Sequence, residues 1–242
     1  MSERHWRRPA LATTALALLG AAAVAGCGNS ASTGQASATE TAGVAAATGH
    51  KAYTADQLKN ALLAKISGER PAAAPEAGDY GKLPDVQTSK QTMKGVKVTP
   101  AKCASATVTG FNSAAFAQAP SSVVTFRVGR DGVSEVLVSA TPQLAVTAMG
   151  NKLPAGCAHY TATVAGKTFS YSVKEDTLTG IGEQARALNV KAAGYAEVDV
   201  WSAVFQGNGF VGAVTIVGPD ASEQGVKQLA TDAYGYAAQT LS

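Results

Sequence analysis

Residues 197–217 read EVDVWSAVFQGNGFVGAVTIV. Two runs rich in β-branched and aromatic residues flank Gln206-Gly207-Asn208-Gly209. Asn-Gly between such runs is the strongest short-range signal for a β-hairpin, because its two residues tolerate the positive φ angles of a tight turn. Side chains alternate between the two faces of a strand, so Glu197, Asp199, Trp201 and Phe205 share one face while Val198, Val200 and Val204 take the other.

The same pattern recurs upstream. SSVVTFRV (121–128) and VSEVLVSA (133–140) flank Gly-Arg-Asp-Gly (129–132), a second hairpin. HYTATVAGKTFSYSV (159–173) folds about Ala165-Gly166 into a third, with Phe169, Tyr171 and Val173 on one face. Between the hairpins, TPQLAVTAMGNKL predicts a helix capped by Thr141, with Pro142 at its first position and Gly150-Asn151 at its end. At the N-terminal side, Thr54 and Gln57 have capping-box spacing, and Tyr53 and Leu58 occupy the staple positions. Leu58, Ala61, Leu62 and Ile66 then recur at helical spacing up to Gly68. At the C-terminal side, Asp220 and Glu223 read as a capping box. Val226, Leu229, Ala230, Ala233, Tyr234, Ala237 and Leu241 form an apolar stripe behind it. Pro71–Gly81 reads as an exposed loop, VKVTP as a short edge strand ending at Pro100, and FNSAAFAQ (111–118) as a short helix or turn. Three hairpins, a helix at each end and one inserted predict an α+β fold. Its expected form is a twisted antiparallel sheet of hairpins packed against N- and C-terminal helices, with one face covered.

The first 26 residues differ in kind. Arg4, Arg7 and Arg8 precede an apolar run from about Ala10 to Ala25, the pattern of a secretory signal peptide. The run is shorter than the roughly 20 apolar residues a membrane-spanning helix needs. Val24-Ala25-Gly26-Cys27 resembles a bacterial lipobox, which implies lipidation of Cys27 and cleavage just before it. The alternative is a free or disulfide-bonded cysteine behind an ordinary signal peptide. Two acyl chains meet the requirement for stable membrane anchoring. Residues 28–50 are almost wholly Gly, Ser, Ala and Thr; they cannot bury enough apolar surface to form a core and read as a tether. The expected organisation is a signal peptide over 1–26, a lipidated cysteine and tether over 27–52, and one extracytoplasmic domain over 53–242.

The chain carries 20 Lys and Arg against 17 Asp and Glu; residues 1–26 hold three of the former and one of the latter, which leaves 17 against 16. A nearly neutral chain without basic clusters argues against a nucleic-acid partner. With Cys27 lipidated, Cys103 and Cys157 remain, and outside the cytoplasm two remaining cysteines pair. The competing reading, a catalytic thiol, would need His159, the histidine nearest either cysteine.

The order of elements resembles the extracytoplasmic sensor domains of actinobacterial protein kinases, the PknH-like extracellular domain family, and related lipoproteins. The likeness runs over roughly 54–241. It consists of a leading helix, a cysteine before a hairpin, the helix PQLAVTAMGNKLPAGC ending in the second cysteine, another hairpin, GIGEQARAL (180–188), two long strands and a final helix. Those kinase domains usually carry two disulfides, where this chain, with Cys27 lipidated, has cysteines for one. The resemblance implies an envelope domain with a cleft for a small or lipidic ligand.

The chemistry-bearing residues are sparse. His50 lies in the tether and His159 at a strand edge, so neither a hydrolase triad nor a zinc site assembles from the sequence. GIGEQA lacks the strand-into-helix setting of a phosphate loop. Glu175-Asp176, and Glu197 with Asp199, read as solvated carboxylates in preference to a calcium site. No catalytic residue, metal or cofactor is therefore expected. Two readings of the aromatic residues stay open. Trp201 and Phe205 lie beneath the N-terminal helix while the acids sit outside the sheet edge, or with Tyr171 and Phe169 they line a half-polar cleft that takes a lipidic or small apolar ligand. The expected function is a non-catalytic sensor or binding lipoprotein; the alternative is an envelope scaffold that binds protein alone.

Overall fold

A computed structural model describes residues 51–106, 111, 113–193 and 198–242. The signal peptide, Cys27, the tether, His50 and Glu197 lie outside the described residues.

Nine strands form one open antiparallel sheet. They are β1 (Glu76–Asp79), β2 (Lys97–Thr99), β3 (Pro120–Val128), β4 (Asp131–Ser139), β5 (His159–Val164), β6 (Lys167–Leu178), β7 (Gln184–Ala193), β8 (Val198–Gly207) and β9 (Phe210–Gly218). The spatial order is β1-β3-β4-β9-β8-β7-β6-β5-β2. The helices are α1 (Ala55–Asn60), α2 (Pro84–Met93), α3 (Pro142–Gly150) and α4 (Glu223–Thr240). The fold is α+β, as the hairpins and terminal helices predict.

All three hairpins form where their turns are written. Val128 pairs with Asp131, Val164 with Lys167 and Gly207 with Phe210, each leaving a two-residue turn. Ala165 and Gly166 take φ of 49° and 77°, both left-handed, while each of the other two turns holds one left-handed residue, Gly129 at 58° or Gly209 at 82°. VKVTP becomes β2, an outermost strand of the sheet.

The sheet's two faces divide the core. On the front face, Val124, Leu137, Ala187, Phe205 and Val214 pack beneath α1 and α4. On the back face, Val138, Val204, Val211 and Ala213 pack against α3, Phe111 and Phe116. Further along the back, Tyr160, Tyr171, Val173 and Val190 surround the Cys103–Cys157 disulfide. Both faces are thus covered over the β3-β4-β9-β8 part of the sheet, where the sequence predicted cover on one. Burying each valine or leucine here contributes roughly 1.5–3 kcal/mol before ordering costs.

Four expectations are corrected. The N-terminal helix keeps its capping box, Gln57 N–H donating to Thr54 Oγ1 and Thr54 N–H to Gln57 Oε1, but it ends at Asn60 instead of reaching Ile66. Beyond it Leu63 N–H donates to Glu135 Oε2 at 2.9 Å on β4, an acceptor outside the helix. The Asp220 capping box does not form: Ser222 caps α4 by accepting from Gly225 N–H. Asp220 instead pairs with Arg130 at 2.7 Å across the β3–β4 turn. The loop expected over Pro71–Gly81 contains β1. Finally, β7 is a full central strand between β6 and β8 that the sequence analysis left unassigned.

Candidate functional site

The proposed aromatic cleft is not brought together. Phe205 is fully buried on the front face, its ring edge-on to Tyr234 of α4 at 6.1 Å between centroids. A Cβ on Gly212 would lie 2.3 Å from that ring, so the strand beside it must be glycine there. Trp201 is buried in the same cluster, across from Asn189 and Ile216. Tyr171 lies on the back face, stacked on Tyr160 at 5.0 Å and next to the disulfide, with Phe169 half-buried beside it. The reason is register. β6 pairs Tyr171 with Ala192, and β7 pairs Ala192 with Val198, which puts Tyr171 on the parity opposite to Trp201. One pair is core beneath α4; the other is core around the disulfide.

The other sequence candidates are also placed. Cys157 is bonded to Cys103, so no thiol is left for a Cys–His arrangement. His159 is exposed on β5, opposite Ser172. Asp199 accepts from Asn189 Nδ2 and pairs with Lys191 at 3.0 Å, an ion pair on the sheet beyond the helices. Among the described residues no cluster of three His, Cys, Asp or Glu could hold a metal, and no helix is long and apolar enough to cross a membrane.

A concavity does exist elsewhere. A groove of about 650 Å³ opens between the end of α3 and the β6–β7 connection. Met149 and Lys152 form one wall, Thr179–Glu183 the other, and Glu175, Thr177, Gln184 and Arg186 the floor. The wall is shaped by glycine: Gly182 has φ +60°, and a Cβ there would meet the Gln206 carbonyl at 2.1 Å. Glu183 N–H in turn donates to that same carbonyl at 2.9 Å, holding the loop to β8.

A buried ion pair fixes the floor. Arg186 Nη1 donates to Glu175 Oε1 at 3.1 Å across the β6–β7 pair. Arg186 Nη2 donates to the Ala148 carbonyl at 3.3 Å, near the end of α3. Glu175 Oε2 accepts from Leu153 N–H at 3.0 Å, in the segment after α3. Two charged side chains thus bind α3 and its following loop to the sheet. Burial pulls the Arg186 pKa down and the Glu175 charge opposes that pull. Removing Glu175 would strand the buried Arg186 charge, whereas Glu175, half-buried and still bonded to Leu153 N–H, tolerates the loss of Arg186 better. Arg186, between Ala185 and Ala187-Leu188, was the signal in the sequence: a strand buries a charge there only when a partner lies within reach, here Glu175, diagonal to it on β6.

The domain is thus an open α+β sheet carrying a groove at one end, between α3 and the β6–β7 connection. No protein-family model matches the chain, and no curated protein matches it. Among solved structures it resembles the extracellular domain of PknH from Mycobacterium tuberculosis, 14% identical with a TM-score of 0.53, over 80% of this chain and 98% of that one. An uncharacterized protein from Mycobacterium smegmatis, the Rv0999 ortholog, is 17% identical with a TM-score of 0.46, over 76% of this chain and 97% of that one. The domain therefore resembles the PknH extracellular domain in fold.

Proposed function

We infer that this chain is a non-catalytic binding module held on the outer side of the cell membrane by lipid on Cys27. The groove between α3 and the β6–β7 connection is its recognition site. The observation that carries this reading is the groove itself, floored by the Arg186–Glu175 pair with Thr177 and Gln184, and walled by Met149 and Lys152 on one side and Thr179–Glu183 on the other. Such a lining, with Met149, Leu178 and Ile181 beside the charged and hydroxyl side chains, suits a ligand that presents both polar and apolar groups. The similarity in fold to a kinase's extracellular domain and the disulfide both support a place outside the cytoplasm. A lipidic ligand, expected from the sequence, loses its basis once Trp201 and Phe205 are core.

The test is native mass spectrometry of the chain purified from the cells that make it, beside a Gln184→Trp variant. Gln184 is exposed, lines the groove and shares its strand face with Arg186, so a tryptophan there fills the space. A ligand mass present in the wild type and absent from the folded variant is the expected result. A ligand retained by the variant places recognition elsewhere.

A further inference from the structure

β6 is the longest strand of the sheet, and its outer edge is half open. On one side β7 pairs with it from Ser170 to Leu178. On the other, β5 reaches only to Ser172, and the last bond is Val173 N–H to the Ala158 carbonyl at 2.8 Å. The chain preceding Ala158 turns away, Cys157 N–H donating to the Pro154 carbonyl at 3.0 Å, and its Leu153 N–H reaches the Glu175 side chain, not the Glu175 main chain. Backbone groups alternate sides along an extended strand, so the N–H and C=O of Glu175 and Thr177 point out of this edge. Among the described residues no strand lies beside them. The two outermost strands, β1 and β2, are by contrast four and three residues long, the short edges that natural sheets tolerate.

The open edge runs along the groove, whose lining includes Glu175, Asp176, Thr177 and Leu178 in succession. From Lys174 to Leu178 it offers about 17 Å of strand. β5 and Ala158 bound the slot at one end and the Thr179–Glu183 loop at the other. A slot closed at both ends admits a slim extended chain and excludes the edge of another sheet, which argues against a second copy.

The geometry points to strand addition: an extended segment of a partner polypeptide, about five residues long, pairs antiparallel with β6 through Glu175 and Thr177. This deepens the reading of the groove as a binding site and rests on it. The main chain supplies the affinity, and side chains facing Arg186 and Met149 supply the selectivity.

The test uses peptides selected from a displayed 12-residue library against the full chain in detergent. A selected peptide should slow hydrogen exchange at the Glu175 and Thr177 amides. Thr177→Pro removes one outward N–H, leaves the bonds to β7 in place, and should weaken binding about tenfold, the loss of one hydrogen bond. Thr177→Ala keeps that N–H and loses only the side chain, so it should weaken binding far less than Thr177→Pro. With the protein unaltered, N-methylation of the peptide residue paired with Thr177 should abolish binding, and methylation of its neighbour should not. Selection without a binder, or a binder indifferent to the proline and to the methylation, overturns strand addition. A peptide-free dimer dissolved by Thr177→Pro assigns the edge to a second copy instead. A native ligand displaced by Gln184→Trp but untouched by Thr177→Pro refutes strand addition alone; loss of both signals refutes the groove as well.

Discussion

Glu135 should make this fold less stable as the pH rises toward neutrality. It lies in the middle of β4 on the front face, fully buried between Val124 of β3 and Val214 of β9. Its Oε2 accepts from Leu63 N–H, and its Oε1 has no partner among the described residues. Burial pushes its pKa from 4.5 up to about 7, with the Leu63 N–H pulling the other way. The folded chain therefore keeps this proton up to about pH 7, whereas the unfolded chain releases it near 4.5. Between those values the native state binds more protons, so stability is fully present below the lower one and is lost as the pH climbs through the upper. The shift corresponds to about 3 kcal/mol at most. Glu135→Gln keeps an acceptor for Leu63 and cannot ionise. Urea unfolding followed by circular dichroism from pH 4 to pH 8 should find the two proteins alike at pH 4. At pH 8 the variant should be more stable by about 3 kcal/mol. Parallel curves across the range, or a variant less stable at pH 8, would refute the reasoning.

Two further outcomes follow from the placement of individual residues. Trp201→Ala should destabilise the domain by about 3–5 kcal/mol, the cost of emptying a buried aromatic site, without changing ligand binding. Once residues 1–26 are removed Trp201 is the single tryptophan, so its emission should be blue-shifted and insensitive to a fatty-acid probe. Cys27→Ala should move the protein from the membrane fraction to the medium or leave its leader uncut. Membrane attachment and processing like wild type would mean that Cys27 is not the anchor.

The elements legible in the sequence were those whose signals are local. Gly209, Gly166 and Gly129 each announce a turn through the φ they permit. The stripe from Val226 to Leu241 announces α4 through its period. β7 escaped because Gln184–Ala193, with four alanines, an arginine and a lysine, has weak strand propensity. Its conformation is imposed by β6 and β8 on either side. α2 escaped because it buries only Val86 and so has no apolar period to read. The candidate site failed in an instructive way. Alternation within β8 correctly joins Trp201 to Phe205, but whether Tyr171 shares their face depends on the register of two intervening pairings. A slip of one residue in either would reverse the answer. The groove depends on a strand overhang, a glycine-shaped loop and an ion pair between Glu175 and Arg186, none of which is a local property. The phrase Gly180-Ile181-Gly182-Glu183 did mark its wall.

Under the proposed function the groove, and not the face carrying Trp201 and Phe205, is the binding site. Hydrogen exchange of the full chain, alone and with envelope extract from the cells that make it, tests that directly. Protection should concentrate in residues 149–153 and 175–186, with α4 and the strand carrying Trp201 and Phe205 unchanged. Protection centred on α4 and β8, with the groove segments exchanging as before, would contradict it.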